Sequence, residues 1–294
     1  MSVPAAWPSD CRTDGCLLRG LTENERWLNI PLSPLLSRYD HVLLDLDGCV
    51  WVQDTCTPGA VEALAALRAA RKAIAFITND ARRSPEEFVR KLWSLGLQAS
   101  LEEIVTVGAA IQAALAQHPV GTPTMVIGAA PIFRHVSDGG AQIVNGTDRA
   151  TTAEVVVVAG HDDFDFAELR TATQAVLAGA TMIAAGRDRT FPVADGQWPG
   201  TGAIVAALEY ATGRTARSVG KPDRMIFEAA LERLGPGRAL MVGDRLDSDL
   251  AGAAAAGIDG AIVLTGITTR EQAQAASAPA PVAVAENLHA LVTR

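Results

Sequence analysis

The sequence predicts an α/β protein with a largely parallel sheet covered by helices, and a second α/β unit inserted into the chain. From residue 41 onward, apolar runs typical of buried strands alternate with runs typical of helices, which is the pattern of parallel sheets. Polar residues follow several of these runs. Between two of these polar residues, Thr78 and Lys221, residues 79–220 are enough to form another domain. The predicted division is an N-terminal arm (1–36), a discontinuous core (37–83 and 215–294) and an inserted domain (84–214).

The first elements of the core are predicted from local signals. His41–Asp47 is an apolar strand, and Pro58–Arg71 is a helix rich in Ala and Leu with proline in its first turn. Ala73–Thr78 is a second buried strand. Ser84 and Glu87 then form a capping box that opens the next helix.

The same alternation continues through the insertion and returns in the tail. The arm, by contrast, shows no clear periodicity and contains four prolines. The later predicted strands are 122–128, 141–144, 153–160, 181–186, Arg238–Asp244 and Ala261–Gly266.

Composition excludes several classes of protein. The chain has 294 residues, of which 49% are apolar and 20% charged, which is typical of a globular protein. Its net charge of −8 without a basic run argues against nucleic acid as a partner. No apolar stretch approaches the ~20 residues of a membrane span, and no secretory signal is visible. We therefore expect a cytoplasmic protein with no membrane partner.

Asp45 and Asp47 end the first strand, in the segment HVLLDLDGCVW. Successive strand side chains point to opposite faces, so these two carboxylates share one face, about 7 Å apart. Two acids at the end of a buried strand repel each other and are costly to desolvate. A bound cation explains the pair, and so does one carboxylate that attacks while the other carries a proton. Two solvated acids at a polar strand end are the alternative.

Further polar residues recur at strand ends and helix starts. Thr78 and Asn79 end the run AIAFIT, Lys221 precedes a helix, and GDRLDSD contains Asp244 and Asp249. Alone, each has an ordinary explanation as a cap, a turn residue or a surface charge. Because ligands of open α/β sheets bind at the carboxyl ends of strands, we expect these residues to converge. Acids with hydroxyl, amide and ammonium donors predict a site for phosphate and a divalent cation, with Mg²⁺ the best fit.

The order of these segments closely resembles the haloacid dehalogenase (HAD) phosphatase superfamily. DLDG is similar to its first motif, FITN to its second, the lysine of VGKP to its third and GDRLDSD to its fourth. The long insertion after the second motif resembles the NagD-like, or type IIA, group. The resemblance implies a Rossmann-like core sheet, with residues 84–214 forming an α/β cap domain between the second and third motifs.

The resemblance also implies a two-step phosphoryl transfer. Asp45 would attack phosphorus and form an aspartyl phosphate. Asp47 would protonate the leaving alcohol and then activate the hydrolytic water. Thr78 and Lys221 would bind the phosphoryl oxygens, with the amide of Asn79 as a further substrate-binding group.

For the cation, the resemblance implies Mg²⁺ bound by the Asp45 carboxylate, the Asp47 backbone carbonyl and the Asp244 carboxylate. Asp249 would orient metal-bound water or Lys221.

In the cap, the segment AAGRDRTFP makes Arg187 and Asp188 candidates for binding the leaving group, with a solvated loop as the alternative. Relatives commonly have asparagine where this chain has Gly186, and also where it has Asp80. Asp80 adds a negative charge near the phosphate entrance, and Gly186 makes the cap depart from the family pattern.

These features predict a Mg²⁺-dependent phosphatase of small phosphorylated metabolites. A phosphotransferase or mutase with the same chemistry remains open. A different class is a phospho-accepting signalling module or a non-catalytic phosphate-binding protein. Asp47 favours the enzyme, because an acid/base two residues from the nucleophile serves turnover rather than a lasting switch. The oligomeric state is not decided, and a homodimer remains open.

Overall fold

A computed structural model describes residues 31–193 and 196–293. The strands are β1 (His41–Asp45), β2 (Trp51–Val52), β3 (Thr55–Cys56), β4 (Ala73–Thr78), β5 (Ile104–Thr106), β6 (Pro123–Gly128), β7 (Gln142–Ile143), β8 (Val155–Gly160), β9 (Thr181–Ala184), β10 (Thr190–Val193), β11 (Gly196–Pro199), β12 (Arg217–Ser218), β13 (Ala239–Gly243), β14 (Asp259–Val263) and β15 (Ala283–Ala285).

Helices connect most of these strands. Within the described ranges, no helix is both long and apolar enough to span a bilayer. The α-helices are α1 (Ala60–Ala69), α2 (Pro85–Ser94), α3 (Val107–Leu115), α4 (Ala130–Asp138), α5 (Phe166–Leu177), α6 (Thr201–Thr212), α7 (Arg224–Leu234), α8 (Ala251–Ala255), α9 (Arg270–Ala275) and α10 (Leu288–Val292).

Among the described residues, six parallel strands form the first sheet, in the order β15–β14–β13–β1–β4–β5. Strand β1 lies between β4, its neighbour along the chain through α1, and β13, which follows the long insertion. The strand order reverses at β1, so the carboxyl ends of β1, β4 and β13 meet where open α/β sheets bind ligands. The predicted Rossmann-like sheet is confirmed.

Strand β1 is buried along its whole length, because apolar side chains pack on both faces of the sheet. Val42 and Leu44 belong to one apolar cluster, which also contains Trp51. Leu43 belongs to a second cluster on the other face, with Phe227 of α7. This alternation follows the two-residue period of a strand and puts Asp45 on the face of Leu43.

The second sheet has five parallel strands among the described residues, in the order β12–β9–β8–β6–β7. Val156 and Val158 of β8 pack on one face with residues of α5 and α6. Val155 and Val157 face the other way and join the cluster that contains Leu43 of the first sheet. Residues of α3, α4 and α7 complete this cluster. The two sheets are therefore joined by continuous apolar packing.

Two strand pairings cross the predicted limits of the insertion at 84–214, and this division of the chain stays a prediction. Strand β5 is predicted inside it, but Thr106 pairs with Thr78 and Ile104 with Phe76, so β5 extends the first sheet. Strand β12 is predicted in the core from residue 215, but it pairs with β9 of the second sheet. Strands of two or three residues are too short for periodicity to reveal their partner, and backbone hydrogen bonding decides it.

Of the predicted arm at 1–36, residues 1–30 lie outside the described part. Leu32 forms an isolated antiparallel bridge with Thr293, and Ser33 Oγ donates a 2.8 Å hydrogen bond to the carbonyl of Leu291. Leu36 is fully buried in the first apolar cluster. The described end of the arm therefore packs against the C-terminal helix.

Candidate phosphate and metal site

Three polar residues end neighbouring strands of the first sheet. Asp45 is the last residue of β1, Thr78 is the last residue of β4, and Asp244 directly follows β13. The three strands are parallel and in register, so their ends lie at one edge of the sheet. All three side chains are buried. The sheet thus brings together groups that are far apart in sequence.

Lys221 joins two carboxylates at this edge. Its Nζ contacts Asp45 Oδ1 and lies 2.7 Å from Asp249 Oδ1. Burial lowers the pKa of Lys221, but the charges of Asp249 and Asp45 outweigh this effect and raise the pKa above its ordinary value. Lys221 is therefore a buried ammonium. Burial also raises the pKa of Asp45, and the charge of Lys221 acts against that rise.

Asp244 has a buried carboxylate oxygen, Oδ1, without a hydrogen-bond partner among the described residues. Its Oδ2 accepts a 2.7 Å hydrogen bond from the backbone N–H of Ile267. Burial, together with the charge of Asp249, raises the pKa of Asp244 to about 6. A Cβ built at Gly266 would lie 1.9 Å from Oδ2, so only glycine fits against this carboxylate. An unpaired buried carboxylate oxygen is costly, which indicates a cation ligand at this place.

A divalent cation fits the acidic cluster. Oxygens of Asp45, Asp244 and Asp249 lie within 4.8 Å of one another, and three carboxylates with one ammonium leave two negative charges to balance. Asp249 Oδ1 accepts a hydrogen bond from Lys221, while its Oδ2 accepts from the N–H groups of Asp244 and Arg245, at 3.1 and 3.0 Å. Both carboxylate oxygens of Asp249 therefore already accept hydrogen bonds from neighbouring groups. Asp45 and Asp244 are the better ligands, and oxygen donors of this kind suit Mg²⁺.

Asp47 lies outside this buried cluster, with a side chain that is exposed to solvent. Its Oδ1 accepts a 2.8 Å hydrogen bond from the indole N–H of Trp51. Surrounding protein atoms desolvate the carboxyl and raise its pKa, although the Trp51 hydrogen bond acts in the opposite direction. Solvent access together with a dense protein surround is typical of a cleft. Asp47 is thus placed where a substrate can reach it.

The side chain of Asn79 is hydrogen-bonded to the main chain of Lys221. Its Nδ2 donates to the Lys221 carbonyl at 3.0 Å, and its Oδ1 accepts from the Lys221 N–H at 2.8 Å. Thr78 Oγ1 accepts a 3.1 Å hydrogen bond from the N–H of Asp80. Asn79 thereby fixes the backbone that carries the buried lysine, and its role in substrate binding stays a prediction.

The two predicted cap residues lie in different places. Arg187 forms a two-bonded ion pair with Glu209, at 2.7 and 3.2 Å, and donates to the carbonyl of Ala216. Its guanidinium therefore binds within the second unit and not at the carboxylate edge. Asp188 does reach the first sheet, because its Oδ2 lies 3.4 Å from Asn79 Nδ2 and its Oδ1 lies 3.7 Å from Arg245 Nη2.

The two departures from the family pattern are locally accommodated. Asp80 forms ion pairs with Arg82 at 3.1 Å and Arg83 at 3.4 Å, which offset the negative charge that it adds. A Cβ at Gly186 would lie 3.2 Å from Asp188 Oδ2, so glycine leaves room for the contact between Asp188 and the first sheet.

Sequence reasoning missed Arg245 and Trp51 as site residues. Arg245 immediately follows Asp244, and its guanidinium lies between Asp247 and Asp188. Trp51 binds Asp47. Their nearness to the predicted acids in sequence was the available signal, but nothing local shows that their side chains turn toward those acids.

Comparison with known proteins identifies relatives along most of the chain. The family model described as haloacid dehalogenase-like hydrolase matches residues 42–142, and one described as HAD-hydrolase-like matches residues 218–291. The chain is 35% identical to D-glycerol 3-phosphate phosphatase of Mycobacterium tuberculosis, over 81% of this chain and 66% of that protein. It is 33% identical to human chronophin, over 85% of this chain and 90% of that protein.

Solved structures share the fold. The magnesium complex of glycerol phosphate phosphatase from Mycobacterium tuberculosis superposes with a TM-score of 0.81 at 33% identity, covering 89% of this chain and 79% of that one. The p-nitrophenyl phosphatase from Archaeoglobus fulgidus gives a TM-score of 0.78 at 32% identity, covering 86% of this chain and 98% of that one.

Proposed function

This chain belongs to the haloacid dehalogenase-like hydrolase family and is a phosphatase, and we propose that it hydrolyses small phosphorylated metabolites, with Mg²⁺, through an aspartyl-phosphate intermediate. The relatives named as phosphatases of glycerol phosphate and p-nitrophenyl phosphate support a small phosphomonoester as the substrate. With a net charge of −8, the protein does not attract anions as a whole. Recognition of the phosphate therefore depends on local donors.

The contact of Lys221 with both Asp45 and Asp249, beside the unpaired Asp244 Oδ1, is the observation that carries this proposal. A buried ammonium beside a strand-end carboxylate screens the repulsion between that carboxylate and an incoming phosphate. The free oxygen of Asp244 is suited to a cation. Both features place positive charge where a transferred phosphoryl group would develop negative charge, which is how phosphoryl transfer is stabilised.

In the first step, Asp45 attacks phosphorus, and the bond from phosphorus to the alcohol oxygen breaks. Lys221 and the hydroxyl of Thr78 bind the phosphoryl oxygens during this transfer. Asp47 gives its proton to the departing alkoxide. When bound by Asp45, the Asp47 backbone carbonyl and Asp244, Mg²⁺ supplies positive charge beside the phosphoryl oxygens.

In the second step, Asp47 acts as a base. It takes a proton from water as the water oxygen attacks phosphorus, so that phosphate leaves and Asp45 returns as a carboxylate. Asp249 keeps Lys221 in place throughout, since it is bonded to the ammonium. Asp47 suits both steps because its carboxyl is open to solvent and carries a raised pKa.

The alternatives are separated by chemistry. A phosphotransferase or mutase would use the same residues but pass the phosphoryl group from Asp45 to an alcohol instead of water. A phospho-accepting switch would keep the phosphoryl group, and a binding protein would not form a covalent bond. Two observations favour an enzyme over a switch or a binding protein. Asp47 is placed to act as an acid and base, and Asp188 of the inserted domain approaches the first sheet beside the site.

A phosphate-release screen tests the proposal. The purified protein is incubated with a panel of phosphomonoesters, without added acceptor alcohol, in Mg²⁺ or in excess EDTA. Acid-quenched samples are examined by mass spectrometry for a phosphorylated Asp45 peptide. We expect release in Mg²⁺ only, and a phosphorylated peptide during turnover.

Two variants sharpen the result. Asp45→Asn should abolish release, whereas Asp138→Asn is a matched control because Asp138 is exposed at the end of helix α4. Steady release by folded Asp45→Asn would disprove the covalent mechanism. A folded, Mg²⁺-loaded wild-type protein that releases phosphate from no ester would disprove the proposed function.

A further inference from the structure

Trp51 is hydrogen-bonded to Asp47, and its indole ring packs against helix α2. Its indole N–H donates to Asp47 Oδ1 at 2.8 Å, and the side chain is completely buried. The ring stacks on Phe88, with centroids 6.5 Å apart and planes at 7°. The Lys91 ammonium lies 4.5 Å from the centroid of the same indole. Phe88 and Lys91 belong to helix α2.

We propose that Trp51 is a positioning residue for proton transfer, which fixes the Asp47 carboxyl through one oxygen and leaves the other oxygen to meet the substrate. This inference rests on the proposed function, in which Asp47 is the acid and base.

The hydrogen bond serves both partners. An indole N–H is a donor only, and a buried donor without an acceptor is costly. Asp47 supplies the acceptor. An exposed aspartate, in turn, has a freely rotating carboxyl unless something binds it. With Oδ1 held by a buried ring, Oδ2 is the oxygen available to carry the proton to the leaving alkoxide, and placement of that proton limits acid catalysis.

Helix α2 makes this position rigid. Phe88 is completely buried beside Trp51. Lys91 also donates a 2.7 Å hydrogen bond to the carbonyl of Gln53 and lies 3.4 Å from Asp54 Oδ1, so the helix binds the β2–β3 hairpin at two further points. Because α2 follows the Thr78 strand end, it links the acid/base to the phosphate-binding edge.

The test compares leaving groups. In Trp51→Phe the ring remains but the donor is lost. The measured quantity is kcat/KM, which includes steps up to breakage of the ester bond and excludes later hydrolysis of the phosphoenzyme. We expect kcat/KM for an alkyl phosphate such as glycerol phosphate to fall by about tenfold to 100-fold. The value for p-nitrophenyl phosphate should fall much less, because nitrophenolate leaves without a proton.

Trp93→Phe is the matched control. Trp93 is 65% exposed, and its indole N–H donates to the carbonyl of Ala99. Both kcat/KM values should remain at wild-type levels in this variant. Equal losses for the two substrates in folded Trp51→Phe, or no loss for either, would overturn the proposal. If Asp45→Asn still stops phosphate release, that result would leave the proposed function standing.

A spectroscopic measurement covers the case in which Trp51→Phe does not fold. In the ¹H–¹⁵N spectrum of wild-type protein, the Trp51 indole N–H should resonate at a position typical of a hydrogen bond to carboxylate. Asp47→Ala should move that signal and leave the Trp93 indole signal in place. An unmoved Trp51 signal would show that the hydrogen bond is absent in solution and would overturn the proposal.

Discussion

The ammonium of Lys221 contacts the carboxylate of Asp45, although 176 positions separate the two residues in the chain. All five described strands of the second sheet lie between them in the chain. The contact exists because β1 is the sheet strand at which the chain order reverses, and because Asn79 clamps the backbone of Lys221. This cluster at the edge of the first sheet therefore depends on the return of the chain from the second sheet to the first.

Asp47→Asn should slow turnover by about 10²-fold to 10⁴-fold, the usual contribution of a positioned acid or base. Asparagine keeps an oxygen for the Trp51 hydrogen bond but cannot donate a carboxyl proton. The loss in kcat/KM should be smaller for p-nitrophenyl phosphate than for glycerol phosphate. An identical loss for both esters in a folded variant would argue against Asp47 as the leaving-group acid.

Mg²⁺ should stabilise the protein more as pH rises through about 6. Burial and Asp249 raise the pKa of Asp244 to about 6, so protons compete with the cation below that pH. Without Mg²⁺, a folded-state pKa above the ordinary 3.8 means that stability falls as pH rises from about 4 to about 6. The Mg²⁺-induced increase in Tm, measured by thermal unfolding, should be large at about pH 8 and small at about pH 5.

Asp244→Asn is the control for this pH effect. The variant should show little Mg²⁺-induced increase in Tm at any pH, because its best cation ligand is gone. A Tm response to Mg²⁺ that is equal at both pH values would contradict the assignment of Asp244 as a ligand.

Ca²⁺ should support little activity in the wild type, since it takes more ligands at longer distances.

Asn79→Ala should lower both stability and activity. It removes two hydrogen bonds to the Lys221 backbone, and leaving partly buried backbone groups unpaired costs about 1–3 kcal/mol of unfolding free energy. Denaturant unfolding measures the first effect and kcat the second. Asn145→Ala is a comparison variant, because Asn145 makes the same pair of bonds to Val126 of β6. It should lose stability without a comparable loss in kcat per folded molecule, and matching losses in kcat would refute a special role for Asn79.

Asp188→Ala should change substrate recognition, whereas Arg187→Ala should change thermal stability. Asp188 approaches Asn79 and Arg245 at the edge of the site, so its removal should change KM and the ranking of substrates. Arg187 binds Glu209 and the Ala216 carbonyl, so its removal should lower Tm with the ranking retained. Steady-state kinetics over the phosphomonoester panel and thermal unfolding of both variants distinguish these outcomes. A changed ranking in Arg187→Ala alone would place specificity on that residue.

The apolar runs and capping signals of the first sheet were sufficient to predict much of the fold. The predicted strand Ala73–Thr78 matches β4, and the Ser84–Glu87 capping box is observed at the start of α2. Such features depend on residues that are neighbours in the chain. The short strands β5 and β12 could not be assigned to a sheet from the sequence, because three and two residues show no period and only pairing fixes their sheet.

The sequence by itself determined which polar residues meet, since acids, a hydroxyl and a lysine at strand ends of a parallel sheet can converge only at one edge. Only the tertiary structure decided what each side chain binds. It turns Asn79 toward the Lys221 backbone, Arg187 toward Glu209 and Trp51 toward Asp47. Periodicity gives the face of an element, whereas a side-chain hydrogen bond depends on which distant groups lie within about 3 Å of each other.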